Sequence, residues 1–155
     1  MLRTEEPLRS LLATIDLSRR VVIEVGVGTG AITRMVLDRA PDSVIGYEID
    51  SDICALRDPR LDLRIGDFRA APFPTLDARH CLIAAPPYGL LPDLRPLVTG
   101  RDAPIVDAIL MVRRKHLVEF PDFAVAFTLG AEDFEPPTEH GDHFVIRRGF
   151  PSRRA

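Results

Sequence analysis

The run Val21-Val22-Ile23-Glu24-Val25 leads straight into Gly26, Gly28 and Gly30. A short β-branched run ending at a glycine turn is the pattern of a strand covered on both faces, as strands are in a parallel sheet. Helical spacing follows at once. Residues 29–40 place Ile32, Met35 and Val36 on one side and stop at Pro41. A strand is expected over 43–48, a short helix over 51–57 capped by Asp50, and a strand over 61–65. The order is β-α-β-α-β. An opening helix precedes it, with Leu8, Leu11, Leu12 and Ile15 forming one apolar stripe.

Beyond Asp67 the Pro-rich stretch 68–78 contains too many breakers for a long helix. Residues 80–84 read as another buried strand, 92–98 as one or two helical turns, 105–112 as a fifth strand and 116–120 as a short crossover. The last two strands, expected over 123–129 and 143–147, lack room for a helix between them and predict an antiparallel hairpin. With 155 residues, 46% hydrophobic, and no repeat or low-complexity linker, the expectation is one compact domain spanning residues 1–155. Its class is α/β: a Rossmann-like, mostly parallel seven-stranded sheet with helices on both faces and a C-terminal antiparallel hairpin.

Gly26, Gly28 and Gly30 lie where a strand turns into a helix, a place where backbone can approach a ligand and present amides to it. Glu48 ends the next strand, 22 residues after Gly26, where a carboxylate can accept both hydroxyls of a ribose. Asp67, in Gly66-Asp67-Phe68, follows the third strand on the same sheet edge. It suits an acceptor for an exocyclic adenine amine with Phe68 against the ring, and equally a plain turn aspartate. The glycine run alone does not separate NAD from other nucleoside ligands.

Glu24-x-Gly26-x-Gly28-x-Gly30, Gly46-Tyr47-Glu48-Ile49-Asp50, Gly66-Asp67-Phe68 and Ala85-Pro86-Pro87-Tyr88 succeed one another at strand ends. In that order they resemble the motifs of class I S-adenosylmethionine-dependent methyltransferases, nearest the rRNA adenine-N6 dimethyltransferases and other amino-methyltransferases. The likeness covers about residues 21–89. It implies S-adenosylmethionine as cofactor, with Gly26, Gly28 and Gly30 lining its methionine part, Glu48 holding the ribose, Asp67 and Phe68 the adenine, and Glu24, Thr29 and Ile49 also among the cofactor-binding residues. It also implies that Ala85, Pro86, Pro87 and Tyr88 form the chemistry loop. In such loops an Asn, Asp or Ser usually stands first and accepts a hydrogen bond from the target amine, and the aromatic stacks on the group that carries it.

Here that first residue is Ala85. The whole chain contains neither Asn nor Gln, so no side-chain carboxamide is available anywhere. Three consequences stay open at this point: methyl transfer to nitrogen through backbone acceptors, transfer to a different nucleophile, or binding without catalysis. The favoured reading is methyl transfer to a nitrogen of RNA or protein. The alternatives are a non-catalytic module for S-adenosylmethionine or S-adenosylhomocysteine and, behind it, an NAD-dependent oxidoreductase. A P-loop nucleotidase is excluded, because no G-x-x-x-x-G-K-[ST] occurs.

Arg113, Arg114, Lys115 and His116 should emerge at the ligand-binding edge, suited to phosphates of an RNA or to a protein substrate, or simply solvated. The net charge of −3 lacks the basic balance of a stand-alone nucleic-acid binder. The helical domain and glutamine-containing motif of the rRNA dimethylases are not seen in this sequence, so the substrate itself, a partner subunit or homo-oligomerisation is expected to complete the site. Arg147, Arg148, Arg153 and Arg154 read as a solvated terminus. His140 and His143 read as turn histidines, with no metal site expected. Cys54 and Cys81 suggest reduced thiols. With no signal-like or membrane-spanning stretch, a cytoplasmic protein is expected.

Overall fold

The computed structural model describes residues 2–70, 73–139 and 141–150. Seven strands form one sheet in the order β3-β2-β1-β4-β5-β7-β6. They are β1 (Val21–Val25), β2 (Ser43–Glu48), β3 (Leu61–Ile65), β4 (His80–Ala84), β5 (Ala108–Arg113), β6 (Ala124–Leu129) and β7 (His143–Arg148). The first five pair in parallel, with Ile23 between Ile45 and Leu82. β7 slots antiparallel between β5 and β6, forming the expected hairpin.

Helices cover both faces. α1 (Glu6–Ala13) and α2 (Ala31–Leu37) bury Leu8, Leu12, Met35 and Val36 against Val22, Val44, Cys81 and Ile83. α3 (Leu91–Val98) buries Leu91, Leu94 and Val98 on the opposite face, against Ile23, Val25, Leu82 and Leu110. β1 and β4 are buried at every residue, as strands covered on both faces must be.

The structure corrects several boundaries. α2 is shorter than 29–40, because Gly28 and Gly30 have positive φ and delay the helix to Ala31. It ends at Leu37 as the N–H groups of Arg39 and Ala40 turn back to Val36 and Leu37. No helix forms over 51–57. Asp50 accepts the Asp52 N–H at 2.9 Å, a local turn that competes with helical bonding. β5 starts at Ala108 rather than 105, since the Ile105 N–H is spent on the Leu97 carbonyl at the end of α3.

Arg147 and Arg148 are half-buried and bonded to backbone rather than freely solvated. Arg148 donates to the carbonyls of Val98 and Gly100, and Arg147 to those of Gly149 and Phe150. His143 opens β7 and is buried rather than lying in a turn. His140, Arg153 and Arg154 lie outside the described residues, as do Ala71 and Pro72 of the 68–78 connection. Among the described residues, no helix is long and apolar enough to cross a membrane.

Candidate active site

Parallel strands deliver their C-terminal ends to one edge, so the loops after β1, β2, β3 and β4 converge. They enclose a cavity of about 310 Å³ lined by Val25, Gly26, Tyr47, Glu48, Ile49, Gly66, Asp67, Phe68, Arg69, Pro87, Gly89 and Leu90. That is the lower end of the size range for small-ligand sites.

Gly26 sits where the glycine loop and the 85–88 loop touch. Its φ is +81°, and a Cβ there would approach Pro87 Cδ to 2.9 Å and the Ala85 carbonyl oxygen to 3.5 Å. Only glycine satisfies both the backbone angle and the close approach. Its N–H donates to the Tyr47 carbonyl at 2.9 Å.

The Glu48 carboxylate is 9% exposed. Oε2 accepts the Gly28 N–H at 2.7 Å and Oε1 the Asp50 N–H at 3.0 Å. Each oxygen has a second lone pair, so the group faces the cavity with acceptor capacity left. Asp67 lies on the same wall. Its Oδ1 accepts the backbone N–H of Arg69 at 2.9 Å, and the Arg69 guanidinium donates to both oxygens at 3.0 and 2.7 Å. Those bonds hold the carboxyl down at about 2. The turn and cavity-facing readings of Asp67 thus describe one residue. Phe68 packs edge-on against Tyr47, with centroids 5.4 Å apart, and against Phe73 at 5.5 Å.

Glu24, Gly28, Thr29 and Gly30 do not line the cavity. Glu24 points beneath the loop, where Thr33 Oγ1 of α2 donates to its Oε2 at 2.6 Å and Oε1 is buried without a partner. Burial pushes this carboxyl up to about 8; the Thr33 bond opposes that shift and the nearby Glu48 adds to it.

Of the 85–88 loop, Pro87 lines the cavity, whereas Ala85, Pro86 and Tyr88 do not; the Tyr88 ring packs elsewhere. It stacks on His116, centroids 5.5 Å apart, with His143 at 6.1 Å and the Arg113 guanidinium at 5.7 Å. Arg113, Arg114 and Lys115 line an adjoining depression of about 380 Å³ with Gly141 and Asp142. Arg114 also lies over the Phe144 ring. The sequence reading missed Arg69, Tyr47 and Leu90 around the cavity, and Glu119 against His116. Only the His116–Glu119 spacing of three gave a signal, because it aligns the two on a tight turn.

No family model matches the chain. In sequence it is similar to the ribosomal RNA small subunit methyltransferase A of Synechococcus sp. (strain WH7803), 33% identical over 128 residues, 74% of this chain and 46% of that protein. It is also similar to the protein of the same name from Synechococcus sp. (strain JA-2-3B'a(2-13)), 35% identical over 107 residues, 63% of this chain and 37% of that one. The chain spans less than half the length of these curated relatives. Among solved structures, a dimethyladenosine transferase from Plasmodium falciparum superimposes with a TM-score of 0.75 at 19% identity, covering 96% of this chain and 62% of that one. The 23S rRNA methyltransferase ErmE superimposes at 0.71 with 21% identity, covering 100% and 72%.

Proposed function

We infer that this chain, which has the class I S-adenosylmethionine-dependent methyltransferase fold and resembles the rRNA adenine dimethyltransferase type in sequence, transfers a methyl group from S-adenosylmethionine to a nitrogen of RNA. The observation that carries this reading is the convergence of the four motif loops on one cavity, with Glu48, Asp67 and Phe68 on one wall and Pro87 opposite.

The residues fit the cofactor. Glu48 has free lone pairs for ribose hydroxyls, Asp67 and Phe68 suit an adenine edge and face, and Gly26 leaves open the backbone between them. S-adenosylmethionine supplies a methyl group on a sulfonium, which leaves readily as a thioether. The protein's part is then to align the nucleophile in line with that methyl carbon, exclude water and take up the displaced proton. The Ala85 and Pro86 carbonyls remain the backbone acceptors of the chemistry loop. Arg113, Arg114 and Lys115, in the depression beside Tyr88, support a phosphate-bearing substrate.

A second reading, binding without transfer, draws on Ala85 alone. An NAD-dependent activity has lost its support, since the named relatives are methyltransferases.

The test incubates the chain with trideuteromethyl S-adenosylmethionine, ribosomal RNA and ribosomal protein, and reads nucleosides and peptides by mass spectrometry. Label in N-methylated adenosine is the expected result, and label in protein alone overturns the RNA assignment. Calorimetric binding of the cofactor without any transfer favours the second reading; no binding overturns both.

A further inference from the structure

Beside the 85–88 loop stands a ring cluster that the cofactor cavity does not use. Tyr88 and His116 stack with their planes 26° apart. The turn Arg114–Glu119 is a 3-10 segment, in which side chains three apart eclipse. His116 Nδ1 therefore meets Glu119 Oε1 at 2.7 Å. A carboxylate can only accept, so Nδ1 carries a proton, and in the neutral ring Nε2 then keeps a bare lone pair. Nε2 is buried and has no hydrogen-bond partner. Such atoms are few in folded proteins and call for a reason. Arg95 of α3 lies 4.0 Å from Oε2 of Glu119, while Arg113 of β5 and His143 of β7 flank the Tyr88 ring.

The side chains of Ala85, Pro86, Pro87 and Tyr88 include no carboxylate, carboxamide or imidazole. An amino nitrogen that gains a methyl group must nevertheless lose a proton. We propose that His116, oriented by Glu119, is the base that takes it, through Nε2. The proposal rests on the methyltransferase reading above. The nitrogen lone pair forms the new N–C bond, and the C–S bond breaks with its electron pair kept by sulfur. The nitrogen's proton passes to Nε2, giving an imidazolium paired with the Glu119 carboxylate, and leaves from there to water. Because Nε2 is covered, the target amine reaches it by displacing a group now packed against the Tyr88 ring.

His116→Phe keeps a flat ring against Tyr88 and removes the acceptor. Turnover at saturating S-adenosylmethionine should fall by roughly 10²–10⁴, the usual contribution of a positioned base, while cofactor affinity stays unchanged. Adding Ala85→Asp to that variant returns an acceptor to the loop and should recover at least about tenfold of the loss. Nitrogen NMR of the wild-type imidazole should show a protonated Nδ1 and a bare Nε2, shifting toward the Nε2–H form in Glu119→Gln. That variant keeps the stack and reports on the dyad even if His116→Phe melts early. Wild-type turnover in a folded His116→Phe protein overturns the proposal, as does a wild-type ring protonated at Nε2. A wild-type chain that binds cofactor but methylates nothing removes the function beneath it, a failure distinguishable by the intact tautomer.

Discussion

The two walls of the cleft are assembled differently. On the cofactor wall, Gly26, Glu48 and Asp67 each sit at the end of their own strand, and the bonds that orient them come from amides nearby: Gly28 and Asp50 for Glu48, Arg69 for Asp67. On the chemistry wall, the groups around Tyr88 arrive from the turn after β5 (His116), from β7 (His143) and from β5 itself (the Arg113 guanidinium). The orienting bonds of the first wall span at most 20 residues and run mainly from backbone amides to carboxylates, whereas the second is built of side chains drawn from up to 55 positions away. A ligand can therefore be held by the first wall whether or not the second works.

Tyr88→Ala breaks this division most severely. Without the ring, His116 and Arg113 lose the surface they pack on and a planar substrate loses its platform. Turnover should fall at least about 100-fold, the scale of a misplaced reacting group. Calorimetry should find S-adenosylmethionine affinity unchanged. Parallel loss of both would show that the walls are one unit.

Glu48→Ala tests the reverse. It removes the proposed ribose acceptor and strands the Gly28 and Asp50 amides, each such loss being worth about 1–3 kcal/mol. Cofactor affinity should drop by roughly 10–100-fold, with turnover at saturation nearly retained, as expected when ground-state binding alone is lost. A turnover loss matching the affinity loss would place Glu48 in the chemistry.

The same contrast decided what could be read from sequence. The strands β1, β2, β3 and β4 match their expected bounds to the residue. For β1, β2 and β4 the reason is that buried apolar runs punctuated by Gly or Pro specify a parallel strand locally. For β3, a half-exposed edge strand, it is that Leu61, Leu63 and Ile65 alternate with Asp62 and Arg64 up to Gly66. Gly26, Glu48, Asp67 and Phe68 could be placed at the sheet edge because each ends or follows one of these strands. The expected 51–57 helix failed where Asp50 offered its own carboxylate to the backbone. The direction of the Tyr88 ring was invisible, since it depends on His143, 55 positions later in the chain. His116–Glu119 lay open only to a reader who knew that the turn was 3-10, because helical and 3-10 spacing point a residue's partner differently.

Glu24 is the exception on the cofactor wall, a carboxyl sealed beneath it rather than facing it. Burial raises it to about 8, against about 4.3 in an unfolded chain. Between those values the folded state holds a proton that the unfolded state has released, so the stability linked to it is complete below about pH 4.3 and is lost as pH rises toward 8. The slope should approach but not exceed about 1.4 kcal/mol per pH unit. Urea melts from pH 5 to 8 should show that decline in the wild type and a flatter profile in Glu24→Gln, whatever constant offset the new amide adds. Equal slopes would mean that Glu24 ionises freely in the folded protein.

The smallest expected effect sharpens the cofactor wall itself. Asp67 is the one acid there whose two oxygens are both held by a side chain, since Arg69 grips it through its guanidinium and its own N–H. Both residues line the cavity, so an adenine amine approaching Asp67 competes with Arg69 for the same lone pairs. The pair is exposed, and such pairs are weak and screened by salt. Arg69→Ala should accordingly tighten S-adenosylmethionine binding only about threefold at low salt, a gain that vanishes in roughly 1 M salt. Because the Asp67 carboxyl sits at about 2, its contribution to binding should be level from pH 5 to 8. Asp67→Ala should weaken binding, and in that background Arg69→Ala should have no further effect. If Arg69→Ala instead weakens binding, the guanidinium is itself a ligand contact, and the cofactor wall depends on a mobile side chain much as the chemistry wall does.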